Sequence, residues 1–200
     1  MKKINSIEKA QAGIVEAITH RITHADNNNQ ADNLRTELKF FSGEHAAGVL
    51  KLASAYDIDF GSLAKSIKVL RNESKDAFLA VYALQKVRKA LYALASGTKS
   101  GFDGYTNSIL FNLAALQHIN NKEGRMALCR AIEYTELEQV QGIKRLLNCS
   151  EGTASTQASS TRMMLRALGI ANVTKQKTGD TISFTDSPAA VAVVAMYAGK

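Results

Sequence analysis

The sequence predicts a mainly α protein, with a multi-helix N-terminal domain followed by a small α+β module that contains one β-hairpin. Three observations favour this fold class. Apolar residues recur at helical spacing along much of the 200-residue chain, and they make up 46% of it. The chain contains a single proline, so the strongest helix breaker is almost absent. A strand–turn–strand pattern occurs near the C-terminus.

The N-terminal part is predicted to form a series of amphipathic helices. Isoleucines at helical spacing predict a first helix over 6–24, and the polar run ADNNNQADN predicts a loop over 25–33. Further helices or helical turns are predicted over 34–41, 44–57, 58–70, 75–94, 105–119, 126–134 and 137–147. We place the boundary between the two predicted domains after residue 121, which gives domains 1–121 and 122–200.

The C-terminal part changes in character. The Ser/Thr-rich run over 150–160 predicts a polar turn that leads into a helix from about Thr156 to Leu168, and Gly169 ends that helix. Strands are predicted over 170–174 and 181–184, with a basic turn over 177–180.

The charge distribution indicates an anionic partner. The net charge is +7 and the sequence pI is about 9.4. Segment 61–100 carries eight basic and two acidic residues, and segment 141–185 carries six basic and two acidic residues. Such a balance favours nucleic acid before a membrane surface. The alternative is that these lysines only solvate exposed helix faces.

The run IKRLLNCSEGTASTQASSTRMMLRALGIANV, followed by TKQKTGDTISF, resembles a winged helix-turn-helix DNA-binding module over about 50 of the 200 residues. The resemblance implies that the Ser/Thr-rich helix enters the major groove and that the hairpin forms the wing. One departure is the predicted interhelical turn over 148–154, which is longer than the usual three or four residues. The alternative is a Ser/Thr-rich linker followed by a core helix and a core hairpin.

In such a module, short hydroxyl and amide side chains let a helix approach base edges, and a helix N-terminus favours phosphate. Arginine pairs with guanine or phosphate, glutamine pairs with adenine, and lysines at a hairpin tip reach the backbone or the minor groove. The candidate contact residues are Ser155, Thr156, Gln157, Ser159, Ser160, Arg162, Arg166, Lys175 and Lys177.

A second candidate interface lies on the predicted helix over 75–94. The spacing of Lys75, Tyr82, Lys86 and Lys89 predicts one basic face, opposite the leucines, that carries an aromatic ring. Lysines interleaved with an aromatic side chain are typical of single-stranded nucleic-acid or phosphate grooves. The alternative is that Tyr82 is half-buried packing.

Several classes of function are disfavoured. His20 and His24 stand four residues apart without the glutamate of a zinc protease between them, so we expect no metal site. Cys129 and Cys149 are typical of free thiols in a reducing compartment, which predicts a cytoplasmic protein. Dinucleotide, phosphate-loop and nucleophile-elbow motifs are absent, so neither enzymatic activity nor a cofactor is expected. The longest apolar run, over 189–198, is too short to span a membrane.

These observations together predict a non-enzymatic nucleic-acid-binding protein, with DNA favoured over RNA. A transcription regulator, a replication accessory factor and a phage or plasmid DNA-handling factor all fit. The N-terminal helices would then mediate oligomerisation or contact a protein partner. The alternative is a structural or interaction protein, such as a virion component or an adaptor that inhibits a host enzyme, in which the basic surface meets an acidic protein face.

Overall fold

Helices dominate the structure, and a small antiparallel sheet lies near the C-terminus, which confirms the predicted fold class. The structure, a computed structural model, describes residues 2–75, 77–122, 134–177 and 179–198. The helices in these ranges are α1 (Lys2–Thr23), α2 (Asn28–Phe41), α3 (Glu44–Ala53), α4 (Phe60–Lys68), α5 (Val81–Ser96), α6 (Gly104–Lys122), α7 (Glu136–Leu147), α8 (Glu151–Ala167) and α9 (Pro188–Ala198). The strands are β1 (Tyr134–Thr135), β2 (Ala171–Gln176) and β3 (Gly179–Phe184).

The predicted loop over 25–33 is shorter than expected, because α2 begins inside it. The Asn27 side chain caps this helix by accepting a hydrogen bond from the backbone N–H of Gln30 at 2.9 Å. Asparagine is among the best N-cap residues, so the same polar run that predicts a loop also starts a helix.

The helix predicted over 75–94 begins later than expected. Its predicted start at Lys75 is wrong, since α5 begins at Val81. The preceding connector, residues 69–80, is held by the buried Arg21 of α1. Its Nη1 donates to the carbonyl oxygens of Ile67 at 3.1 Å and Leu79 at 3.0 Å, and its guanidinium lies over the Phe78 ring. In a continuous helix the Leu79 carbonyl would accept a hydrogen bond from the backbone N–H four residues later. Its hydrogen bond with Arg21 therefore favours a turn at this point.

The helix that contains the Ser/Thr-rich run is longer than predicted, because α8 begins at Glu151. The Ser150 side chain caps it by accepting from the backbone N–H of Thr153 at 3.2 Å. Ala154 and Ala158 are fully buried four residues apart, which adds an apolar stripe to a mostly polar segment. The turn between α7 and α8 is therefore 148–150, three residues instead of the predicted seven.

The predicted β-hairpin is present, and β1 adds a third strand. Strand order is β1-β3-β2, and Gln176 pairs with Gly179 at the hairpin end. Tyr134 of β1 pairs with Ile182 of β3. The predicted helix over 126–134 lies outside the described residues except for Tyr134, which is in this strand.

The buried core includes residues from both predicted domains. Leu50 and Leu91 belong to the same cluster as Leu165 and Ile182. Helix α5 packs on α3 and α8, and α6 packs on α7, α8 and α9. The division after residue 121 stays a prediction. In the described ranges, no helix combines the length and the apolar character needed to cross a membrane.

Candidate nucleic-acid interface

One side of α8 forms a stripe of exposed and half-buried side chains, mostly short and polar, that ends in a cation. Ser155 and Arg166 are exposed, and Ser159 and Met163 between them are half-buried. Their spacing of four, four and three residues places them on one helical face. Thr156 is exposed at the edge of this face. We call these five residues the α8 stripe.

Two predicted contact residues do not belong to the α8 stripe. Ser160 is buried, and its hydroxyl donates to the carbonyl oxygen of Gln157 at 3.1 Å. The half-buried Gln157 lies about 200° around the helix from Ser155, so it faces away from the α8 stripe. The prediction of Ser160 as a surface contact is wrong for this structure, because its side chain is buried, and the role of Gln157 stays a prediction.

The early start of α8 also changes the electrostatics of its first turn. That turn contains Glu151, whose carboxylate lies 3.2 Å from the Lys144 ammonium of α7. Residues 155–160 therefore lie in the second and third turns. The favourable field of a helix N-terminus for phosphate acts within the first turn, so it does not act on these hydroxyls.

Arg162 is buried, and it joins α8 to α7 and β3. Its Nη2 donates to Glu136 Oε1 at 2.7 Å, and its Nη1 donates to Gln139 Oε1 at 3.1 Å. Its Nε lies 3.6 Å from Asp180 Oδ2. The side chain is only 6% exposed, so it fixes the angle of α8 against the hairpin and is not a surface contact as predicted.

The β2–β3 hairpin carries its two predicted lysines at exposed positions. Lys175 and Lys177 are exposed, and Lys175 is the cross-strand partner of Asp180. Gly179 has a φ of 118°, and a Cβ there would lie 2.8 Å from Glu136 Oε2. A positive φ of this size favours glycine, and the backbone N–H of Asp180 donates to Glu136 Oε2 at 3.3 Å, which ties the start of β3 to α7.

The predicted basic face on 75–94 does not form. Lys75 precedes α5, and Lys86 points into the protein, where its ammonium lies 2.9 Å from Asp103 Oδ1. Tyr82 is half exposed and Lys89 is half-buried. The Lys86 ammonium is therefore not available to a ligand on the surface.

Asp103 and Lys86 perturb one another's titration. Burial alone would raise the pKa of Asp103, but the charge of Lys86 and its hydrogen bonds hold that pKa below the usual range of a carboxyl. Burial lowers the pKa of Lys86, and Asp103 opposes this shift. Both groups form a charged pair between α5 and the start of α6.

A cleft of about 180 Å³ brings residues of both candidate interfaces together. Its walls come from the connector, from α8 and from the hairpin. The lining residues are Lys75, Ser159, Arg162, Met163, Arg166, Val173, Lys175 and Asp180. The spacing of residues along the sequence could not predict this arrangement, since Lys75 and Lys175 are far apart in sequence. The contributions of Val173, Glu136 and Asp180 were likewise not predicted.

In the described part of the chain, His20 and His24 do not belong to a larger group of metal-ligating side chains. The His20 and His24 rings are stacked with centroids 4.4 Å apart. Among the residues that the structure describes, no group of three or more His, Cys, Asp or Glu side chains could hold a metal ion. Cys149 is a half-buried free thiol, and Cys129 lies outside the described residues.

Comparisons of this chain with protein-family models, with curated proteins and with solved structures found no match. The function of the chain is therefore inferred from the α8 stripe, the hairpin and the cleft between them.

Proposed function

We propose that this chain is a non-enzymatic nucleic-acid-binding protein that contacts duplex DNA through the α8 stripe and the β2–β3 hairpin. The observation that carries the proposal is the cleft, which places the cations Lys75, Arg166 and Lys175 beside the exposed side of one helix. The element order α7, three-residue turn, α8, β2, β3 supports a winged helix-turn-helix arrangement.

The α8 stripe suits a major groove in shape and chemistry. From Ser155 to Arg166 it extends about 16 Å at 1.5 Å per residue, and a major groove about 12 Å wide admits an α-helix. Serine hydroxyls can donate to or accept from any base edge at short range. The guanidinium of Arg166, at the far end, can pair with guanine or with a phosphate.

The hairpin supplies charge beside the helix. Lys177 stands at its tip and Lys175 on its outer strand, and both are exposed. Lysine binds phosphate as a point charge and carries little base information. We therefore assign positioning on the backbone to the hairpin, and sequence reading to the residues of the α8 stripe that do not line the cleft, Ser155 and Thr156.

The test is a titration of labelled duplex and single-stranded DNA at several salt concentrations. Ser155→Glu puts a negative charge on the α8 stripe, and Thr36→Glu puts the same charge on an exposed position of α2. We expect Ser155→Glu to weaken duplex binding about tenfold or more, which corresponds to about 1.4 kcal/mol, and Thr36→Glu to have little effect. Absence of DNA binding at low salt, or equal losses in both variants, would contradict the proposal.

The structural or interaction protein is the second candidate. Its support is a set of large apolar side chains at the surface: Leu52, Phe111, Leu137, Leu146 and Val191 are each more than half exposed. They belong to four different helices, and single exposed apolar residues are common on soluble proteins. A chain that fails to bind DNA at low salt but binds an acidic protein would favour this function.

A further inference from the structure

The cleft beside α8 receives a cation from outside the C-terminal module. Arg166 belongs to α8 and Lys175 to β2, but Lys75 belongs to the connector between α4 and α5. Besides Arg162, which is ion-paired with Glu136, three cations from three separate segments therefore line one depression. Of the ion pairs in the described part of the chain, none includes Lys75 or Arg166.

The connector holds Lys75 in a defined place. The Ser74 hydroxyl accepts from the backbone N–H of Ala77 at 3.2 Å, and the Ser74 carbonyl accepts from that of Phe78 at 3.0 Å. Leu79 is buried, and its carbonyl is bonded to Arg21. Because Ser74, which precedes Lys75, is hydrogen-bonded to Ala77 and Phe78, less backbone freedom is lost when the Lys75 ammonium meets a ligand.

The lining of the cleft matches a sugar–phosphate unit. Its cations suit a phosphate, the Ser159 hydroxyl can donate to a phosphate oxygen, and Met163 with Val173 offers an apolar wall. Asp180 is the acidic lining residue, and its Oδ2 lies 3.6 Å from the Nε of Arg162, which offsets its charge.

The position of the cleft also suits a DNA backbone. A helix in the major groove has a phosphate backbone along each side of it. A hairpin beside that helix must cross one of these backbones to reach the next groove. The strand therefore passes between helix and hairpin, where the cleft lies.

We propose that the cleft holds the backbone of one DNA strand, with Lys75 as a phosphate contact beside Arg166 and Lys175. This inference rests on the proposed function. It makes the N-terminal helical part a direct participant in DNA binding, since Lys75 reaches the duplex from outside the module that carries the α8 stripe.

The test compares Lys75→Gln with Arg71→Gln in the full chain. Both residues are exposed cations of the same connector, but Arg71 does not line the cleft. The measurement is duplex affinity by fluorescence anisotropy across a series of salt concentrations. Each neutralised phosphate contributes about 0.9 to the log–log salt slope, so Lys75→Gln should reduce that slope by about one, and Arg71→Gln should not. The loss should be uniform across duplex sequences.

The outcomes separate this inference from the proposed function. If Ser155→Glu weakens binding but Lys75→Gln keeps the wild-type slope, the phosphate contact is refuted and the proposed function stands. If Lys75→Gln and Arg71→Gln reduce the salt slope equally, the loss of one positive charge explains the effect wherever that charge lies. The assignment of Lys75 as a phosphate contact in the cleft is then refuted. If the wild-type chain binds no duplex at low salt, both are refuted. The Lys75→Gln, Arg166→Gln double variant should lower the slope by about two.

Discussion

Lys86 is predicted here to stabilise the fold and to make no contact with DNA. Its ammonium lies 2.9 and 3.0 Å from the two carboxylate oxygens of Asp103 and 3.2 Å from the Thr106 hydroxyl. The side chains of the pair are 5% and 13% exposed. Replacing Lys86 by methionine keeps most of the side-chain volume and leaves the Asp103 carboxylate without its counter-charge.

The structure sets the expected magnitude. Removing one partner of a buried ion pair costs about 3–5 kcal/mol. Asp103 would keep two hydrogen bonds from Thr106, one from its backbone N–H at 3.0 Å and one from its hydroxyl at 3.1 Å. We therefore expect Lys86→Met to lower the free energy of unfolding by about 3 kcal/mol, at the lower end of that range. Adding Asp103→Asn should recover roughly 1–3 kcal/mol, because the two side chains are in contact.

The assay is urea unfolding followed by circular dichroism, together with the DNA titration. Lys9→Met on the exposed side of α1 is the matched control and should stay within about 0.5 kcal/mol of the wild type. At a temperature where all variants are folded, Lys86→Met should keep the wild-type salt slope. A loss of stability below about 1 kcal/mol, or a salt slope lowered by about one, would refute this reasoning.

Two further predictions concern the same pair and the hairpin. The lowered pKa of Asp103 means that its contribution to stability is present above the unfolded-state pKa and is lost as pH falls through the folded-state value. Unfolding free energies between about pH 5 and pH 2 should therefore fall less steeply in Asp103→Asn than in the wild type, and identical pH profiles would contradict the prediction. Gly179→Ala should cost about 1–3 kcal/mol in thermal or urea unfolding, since its φ is 118° and the new Cβ would meet Glu136. Gly152→Ala should raise the free energy of unfolding by about 0.5–1 kcal/mol, since Gly152 is helical and a Cβ there would meet no atom within 4 Å. If both glycine variants changed the stability in the same direction, this account would be contradicted.

Segments with a clear apolar stripe were predictable from the sequence. The stripe of α5 is an example, because Leu84, Val87, Leu91 and Leu94 are all buried as their spacing predicts. The hairpin also follows from local residue types. The first residues of α2 and α8 were harder to predict, because asparagine and serine favour both loops and helix caps. Only the small buried alanines at 154 and 158 distinguish the helix from a linker.

The candidate site was predictable only in part. The exposed positions of Ser155, Arg166, Lys175 and Lys177 agree with the predicted surface. The burial of Lys86 and Arg162 depends on carboxylates that are distant in sequence, as the separation of 26 positions between Glu136 and Arg162 illustrates. A cation looks the same in a sequence whether it faces water or a buried carboxylate, so local patterns could not separate the two.

The strand order of the sheet has a consequence for the solution behaviour of the protein. Within the described part of the chain, β2 is an outer strand, so one of its edges faces away from β3. The outer strand of a sheet can pair with the same strand of another molecule, and lysines on such a strand oppose this pairing through mutual repulsion. Lys175 belongs to this edge strand, and Lys177 follows it in the adjoining turn. Neutralising both would remove this protection and favour self-association of the chain through strand addition.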